Sequence, residues 1–255
     1  MKVGYAVLYE DGDLVISKDH TILQKPILED YGEFDDTDVP WAWGKDDNCF
    51  NIVQVWILDQ VKSNCMYEWF YHCYNLTTLL DFHNLDVSDC KDFSDTFWYC
   101  EHLINISSLS NWNLSNGENF SNMFYGCYSL TNLSTLQNWD VSNGIDFREM
   151  FRSCKSLRSI SSLKNWDVSN GKNFSYMFCA CNSLTNISSL KNWNISSGKA
   201  FKHMFAYCKS LKDISLSNTL DILRKNMFLN CNENLKIHWK NKIYTYEDLI
   251  LYNEF

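Results

Sequence analysis

The chain has 255 residues, 45% hydrophobic and 21% charged, with a formal net charge of −9; that balance indicates a folded chain and excludes intrinsic disorder. Only two prolines and nine glycines occur, which excludes collagen-like and linker-like stretches. Charge is uneven: residues 1–100 carry 19 acids against 6 bases, while eleven Lys/Arg between Phe147 and Lys212 face only Glu149 and Asp167. The molecule therefore has an acidic head and a basic flank.

The opening MKVGYAVLYEDGDLV holds a seven-residue apolar run that ends at Glu10 and Asp11, too short for a signal peptide. No run of about 18 apolar residues spells a membrane helix. The expectation is a cytoplasmic chain with no membrane insertion; an export signal upstream would place it at the cell surface instead. Residues 1–48 predict a cap that begins with a β-hairpin turning at Asp11-Gly12. IVQVWIL (52–58) predicts the first strand to join a stack. Residues 49–234 predict a solenoid, and 235–255 a closing cap of strand or hairpin plus a short helix.

The solenoid rests on a repeat. Cys73, Cys100, Cys127, Cys154, Cys181 and Cys208 are spaced by 27 residues, and Cys231 follows after 23. Phenylalanine precedes each by three (Phe70, Phe97, Phe124, Phe151, Phe178, Phe205, Phe228), and leucine follows the first six by three (Leu76 to Leu211). In FSNMFYGC, residues Phe120, Met123, Phe124 and Cys127 fall at i, i+3, i+4 and i+7, the stripe of an α-helix. Ser115 or Asn116 is placed to cap it, and Gly117 to turn into it. After the cysteine, apolar residues come every third position (Leu130, Leu133, Leu136, Trp139), which suits a short strand near 130–133 and a chain bending round a narrow core. The expected fold is α/β: a leucine-rich-repeat-like solenoid of about seven 27-residue units, each a short strand plus a short helix. Neither element is stable alone, so stacking must supply their partners.

The units NWDVSNG-x-x-F-x-x-MF-x-x-C-x-SL-x-x-I resemble the BspA-like leucine-rich repeats of bacterial surface proteins, over about residues 50–240. The family commonly has valine where Gly117, Gly144, Gly171 and Gly198 stand, and methionine where Phe120, Phe147 and Phe174 stand. The resemblance implies a repeat fold and, from the family's habits, a secreted adhesin that binds host molecules or cells.

Several columns read as architecture. Each cysteine completes an apolar stripe without a CxxC or histidine partner, so the column reads as buried free thiols rather than zinc ligands or disulfides. The tryptophans Trp112, Trp139, Trp166 and Trp193 read as a roof over the core rather than a sugar or base platform. Asp140-Val141-Ser142 and Asp167-Val168-Ser169 read as Asx turns, carrying too little charge for calcium. The pairs Ser107-Ser108, Ser161-Ser162 and Ser188-Ser189 read as a solvent-facing ladder. The acids Asp35, Asp36, Asp38, Asp46 and Asp47 read as a solvated surface run.

Residues that break the repeat carry the functional expectation. Tyr71, His72, Tyr74, Trp98, Tyr99, Tyr125 and Tyr128 flank the cysteines of the early units. Arg152, Lys155, Arg158, Lys202, Lys209 and Lys212 take comparable places later. None serves a repeat-wide packing need, and Tyr, Trp and Arg are favoured interface anchors. No GxSxG, Walker A, GxGxxG or HExxH motif occurs, so the expectation is no enzyme, no cofactor and no resident metal. The expected partner is a protein. One version is a bacterial, phage or mobile-element inhibitor acting on an intracellular target. A surface adhesin or carbohydrate binder, nucleic-acid or ribonucleoprotein binding by residues 147–212, and head-to-tail self-association are the alternatives.

Overall fold

The computed structural model describes residues 1–42, 47–215, 226–239 and 241–251; Asp46 of the acidic run lies outside them. Strands β1 (Lys2–Tyr9), β2 (Asp13–Ser17) and β3 (Ile27–Asp35) form an antiparallel set. Gly12 closes the β1–β2 hairpin at φ 88°, as the Asp11-Gly12 signal predicts. Strand β4 (Gln54–Ile57), from IVQVWIL, pairs in parallel with β2 and with β6 (Thr78–Leu80), so the head and the repeats share one sheet in the order β3-β1-β2-β4-β6. A shorter parallel pair, β5 (Val61–Lys62) and β7 (Leu85–Asp86), opens a second face. Strands β8 (Asp213–Ser215), β9 (Lys236–Trp239) and β10 (Lys242–Thr245), with helix α1 (Tyr246–Leu251), stand at the far end.

Between these ends the chain winds as stacked turns, a leucine-rich-repeat-like solenoid. Parallel bridges link Asp92, Asn119, Asp146, Asn173 and Ala200 from one turn to the next. Backbone N–H groups of 93, 95, 97 and 99 donate to carbonyls of 119, 121, 123 and 125, and the same four bonds recur in the following turns at 2.7–3.0 Å.

The expected repeat helix is not there. Residues Phe120, Met123, Phe124 and Cys127 all point inward, but on tight turns: Tyr125 N–H donates to Asn122, Cys127 to Phe124 and Leu130 to Cys127, each across three residues. Two columns per turn take left-handed φ near 55–75°, one from Glu68 through Asp95, Asn122, Glu149, Tyr176 and His203 to Asn226. The other runs from His72 through Tyr99, Gly126, Ser153, Ala180 and Tyr207 to Asn230. Two left-handed residues four positions apart in each turn forbid a helix there. The expected strand near 130–133 is likewise reduced to single bridges such as Thr78–Asn105 and Ser159–Asn186. It runs into 3-10 turns at Ser107–Asn111, Ser134–Asn138, Ser161–Asn165 and Ser188–Asn192. These turns also correct the serine reading: Ser108 is half-buried and donates to Leu79 O (3.0 Å), and Ser189 is buried. Asp36 is no surface acid either; it is buried and accepts from Asn64 N–H (2.8 Å).

Inside, the columns are ladders. The phenylalanines from Phe70 to Phe228 stack at 5.4–5.7 Å. A second file runs from Phe93 to Phe201 at 5.4–5.5 Å. Trp112, Trp139, Trp166 and Trp193 are buried, stack at 6.4–6.5 Å and donate from Nε1 to a carbonyl of the preceding turn. Each thiol from Cys100 to Cys208 donates to the phenylalanine carbonyl one turn back, at 3.1–3.3 Å. The Asp140 and Asp167 carboxylates accept from Ser142 and Ser169 N–H at 3.0 Å, the expected Asx turns.

The Gly/Phe departure from the BspA-like pattern has a steric cause. A Cβ at Gly144 would lie 2.4 Å from Phe147 Cζ and 2.9 Å from Val141 O. Cys90 takes this column one turn before Gly117, its thiol drawn onto Ser63 O (3.0 Å). At Gly117, Gly144, Gly171 and Gly198 the ring thus fills the space a Cβ would need, while at Cys90 a side chain is accommodated beside Phe93. Gly144→Val should cost about 1–3 kcal/mol, as overpacking does, and adding Phe147→Met should recover part of it; urea unfolding of the double-mutant cycle reads the coupling, and strict additivity would refute the contact. None of the eleven cysteines is in a disulfide and only Cys65 is not buried. A thiol reagent should accordingly label Cys65 first in the native state, and the other ten only on unfolding, as mass spectrometry of the labelled chain would report.

Candidate interaction surface

Phe70 and Cys73 are held inside, and the left-handed residue between them, His72, turns the intervening side chains outward. Every turn repeats this geometry, so each outward residue lies over its counterpart one turn on. Tyr71 stacks on Trp98 (4.4 Å, 6° between planes) and Trp98 lies against Tyr125 (5.5 Å). The Arg152 guanidinium continues the file, 5.3 Å from the Tyr125 ring and 5.1 Å from that of Tyr176. In the next column His72 stacks on Tyr99 (5.7 Å), which packs against Tyr125 (5.1 Å) and Tyr128 (5.9 Å). Tyr74 touches Tyr99 (6.3 Å), is hydrogen-bonded to His72 and stacks on Phe50 (5.4 Å). Lys155 Nζ sits 3.5 Å above the Tyr128 ring. Each such aromatic pair stabilises by roughly 0.5–1.5 kcal/mol beyond area burial.

The seven expected aromatics thus form one cluster, with Arg152 and Lys155 on its edge. Arg158, Lys202, Lys209 and Lys212 do not join it; they are exposed, Arg158 in the same turn as Arg152 and Lys155 and the three lysines two turns further along. Three contributors are absent from the sequence reading. Phe50 precedes the repeats and has no column to reveal it. Tyr176 lies in the left-handed column beneath Glu149, and Arg148 shares a column with Lys202; aligning those columns exposes both.

Burial disfavours the charged forms at this surface. Desolvation raises the Tyr71 and Tyr74 phenols and, with a hydrogen bond to Tyr99, pushes Tyr125 up to about 12. Desolvation lowers His72 and His203, so both are neutral at pH 7. Asp95 is raised to about 6 by desolvation, partly offset by a hydrogen bond to Asn122, with Glu68 and Asp92 adding repulsion. Among the described residues, no three His, Cys, Asp or Glu side chains are grouped to hold a metal ion.

The chain matches the family model DUF285, described as Mycoplasma protein of unknown function, twice, over residues 43–160 and 130–239. It belongs to that family. The two DUF285 matches overlap by about one repeat and take in the whole aromatic cluster. No curated protein matches the chain. Among solved structures, it is similar to a leucine-rich repeat protein from Bacteroides ovatus at 14% identity, covering 94% of this chain and 77% of that one, with a TM-score of 0.27. It is also similar to a leucine rich cell surface protein from Faecalibacterium prausnitzii at 12% identity, covering 94% of both, with a TM-score of 0.25. No helix among the described residues of this DUF285 chain is long and apolar enough to cross a membrane.

The raised Asp95 carboxyl yields a pH test. Its folded pKa lies above its unfolded one, so burying the charge costs stability above about pH 6 and the cost disappears as pH falls towards 4. Asp95→Asn, which copies Asn122 in the same left-handed column, should raise the melting temperature at pH 7.5 and leave it unchanged near pH 4. Equal effects at both pH values would show that desolvation of the carboxylate is not the cause.

Proposed function

We propose that this chain is a non-enzymatic, protein-binding solenoid of seven units, which recognises its partner through the outward aromatic and basic columns beside the cysteine ladder. The observation carrying this reading is the division of labour between columns. Phe, Cys, Leu and Trp keep the same identity turn after turn because each fills the same interior, whereas the positions of Tyr71, Tyr74, Tyr99, Tyr128, Lys155 and Arg158 change along the axis. Packing alone would let such positions stay small and polar. Half-buried tyrosine, tryptophan and arginine, held against one another before any partner arrives, lose little side-chain entropy on docking. On this reading the BspA-like resemblance is one of repeat architecture.

The test is loss of partner capture. The triple variant Tyr71→Ala/Tyr99→Ala/Tyr128→Ala and the pair Arg152→Ala/Arg158→Ala should each weaken retention of native-host proteins by at least about tenfold, the scale of one anchor residue. Quantitative affinity capture with mass spectrometry reads this, with thermal melts as the folding control. Retention unchanged in both folded variants would reject the surface.

A further inference from the structure

Three central rings of this surface have a neighbour on each side. Trp98 lies between Tyr71 and Tyr125, Tyr125 between Trp98 and Arg152, and Tyr99 between His72 and Tyr125. Bases and sugars bind aromatic faces, and here neighbouring rings occupy them. What turns outward is ring edge, the positive side of the quadrupole, together with phenols that keep their protons at neutral pH.

The cations beside the cluster are unlike those of the head. Lys2 pairs with Glu33, Lys25 with Asp11 and Asp13, Lys62 with Asp86 and Asp89, and Lys91 with Glu118. By contrast, Lys155, Arg158, Lys202, Lys209 and Lys212 are exposed and have no ion-pair partner among the described residues. They share a pattern: Lys155 and Lys209 stand in one column with Asn182 between, and Arg158 and Lys212 in another with Thr185 between. Two turns separate each pair, about 11 Å at the 5.5 Å spacing of the phenylalanine file. Three residues of chain in the polyproline II conformation span about 9 Å and bring the side chain back to the same face.

We infer that this face accepts an acidic segment of a partner protein, extended along the solenoid axis, with carboxylates about three residues apart lying over the cation pairs. The inference rests on the protein-binding reading above and names its partner class. A phosphate backbone fits less well. Its charges are far denser than cations two turns apart, and the faces of Trp98, Tyr99 and Tyr125 that bases would stack on are met by neighbouring groups.

The probe is a labelled 24-residue peptide of repeating Glu-Ser-Gly, titrated with the full chain by fluorescence anisotropy at 20 and 200 mM NaCl beside a 24-nucleotide oligo(dT). The peptide should bind at low salt and weaken at high salt. In the exposed charge-reversal variant Lys155→Glu/Lys209→Glu, the affinity should fall about tenfold or more, and oligo(dT) should bind more weakly than the peptide. Three results would overturn the inference: no peptide binding at 20 mM NaCl, peptide binding indifferent to the charge reversal, or tighter binding of oligo(dT). A photo-crosslinking residue in place of the exposed Thr131, used in native cells, separates the two levels. Crosslinks to a protein together with a negative peptide titration would leave protein binding standing and remove the acidic-segment assignment; absence of both would remove each.

Discussion

The structure depends on hydrogen bonds between turns. Within a turn, bonds from a residue to the carbonyl three back make corners but no helix or strand, and two residues sit in left-handed φ at a cost of about 1 kcal/mol each for non-glycine types. One turn in isolation therefore has little reason to hold its shape. The four N–H groups that donate to the following turn supply the reason, because an unmet donor beside a buried core is costly. Thiol and indole donors add two further bonds to the preceding turn. Each turn is the template for the next, and the hairpins at either end give the first and last turns something to pair with.

That dependence explains what was legible in the residues and what was not. Which side chains go inward was readable, since Phe120, Met123, Phe124 and Cys127 do line the core. The backbone carrying them was not. Spacing of three and four is shared by a helix and by successive tight turns whose corners face the same way. The discriminating signal is the left-handed columns, and side-chain type hides them: Asp95 and Asn122 tolerate such φ, but Tyr99, Tyr176 and His203 give no hint of it. The Gly/Phe pair was visible as a departure from the family pattern, yet only the geometry shows the reason, since a Cβ at Gly144 would come within 2.4 Å of Phe147 Cζ.

The candidate surface was legible for a related reason. A column that keeps its residue is filling a common interior, and a column that drifts is free of that duty, so the drifting ones can be picked out by eye. Contacts between columns were beyond reach. Nothing in the sequence places Phe50 against Tyr74, or Arg152 between Tyr125 and Tyr176. Those contacts arise because the turns superpose almost without offset, a property of the stack and not of any one repeat.

Superposition also constrains how such a surface can vary. A side chain in an outward column meets its neighbours above and below at about 5 Å, close enough for rings to stack and for like charges to repel. Tyrosine and tryptophan gain from following one another through several turns, whereas cations gain nothing from it, although Lys164 and Lys191, and Lys172 and Lys199, do stand in consecutive turns elsewhere on the solenoid. On the candidate face, aromatics occupy consecutive turns from Tyr71 to Tyr125, Arg152 is inserted where a ring on each side and Glu149 (2.9 Å) offset its charge, and beyond it Asn182 and Thr185 separate the lysines and arginine. On this face the cation pairs are separated by two rises of the solenoid, and that separation is the spacing on which the acidic-segment inference rests.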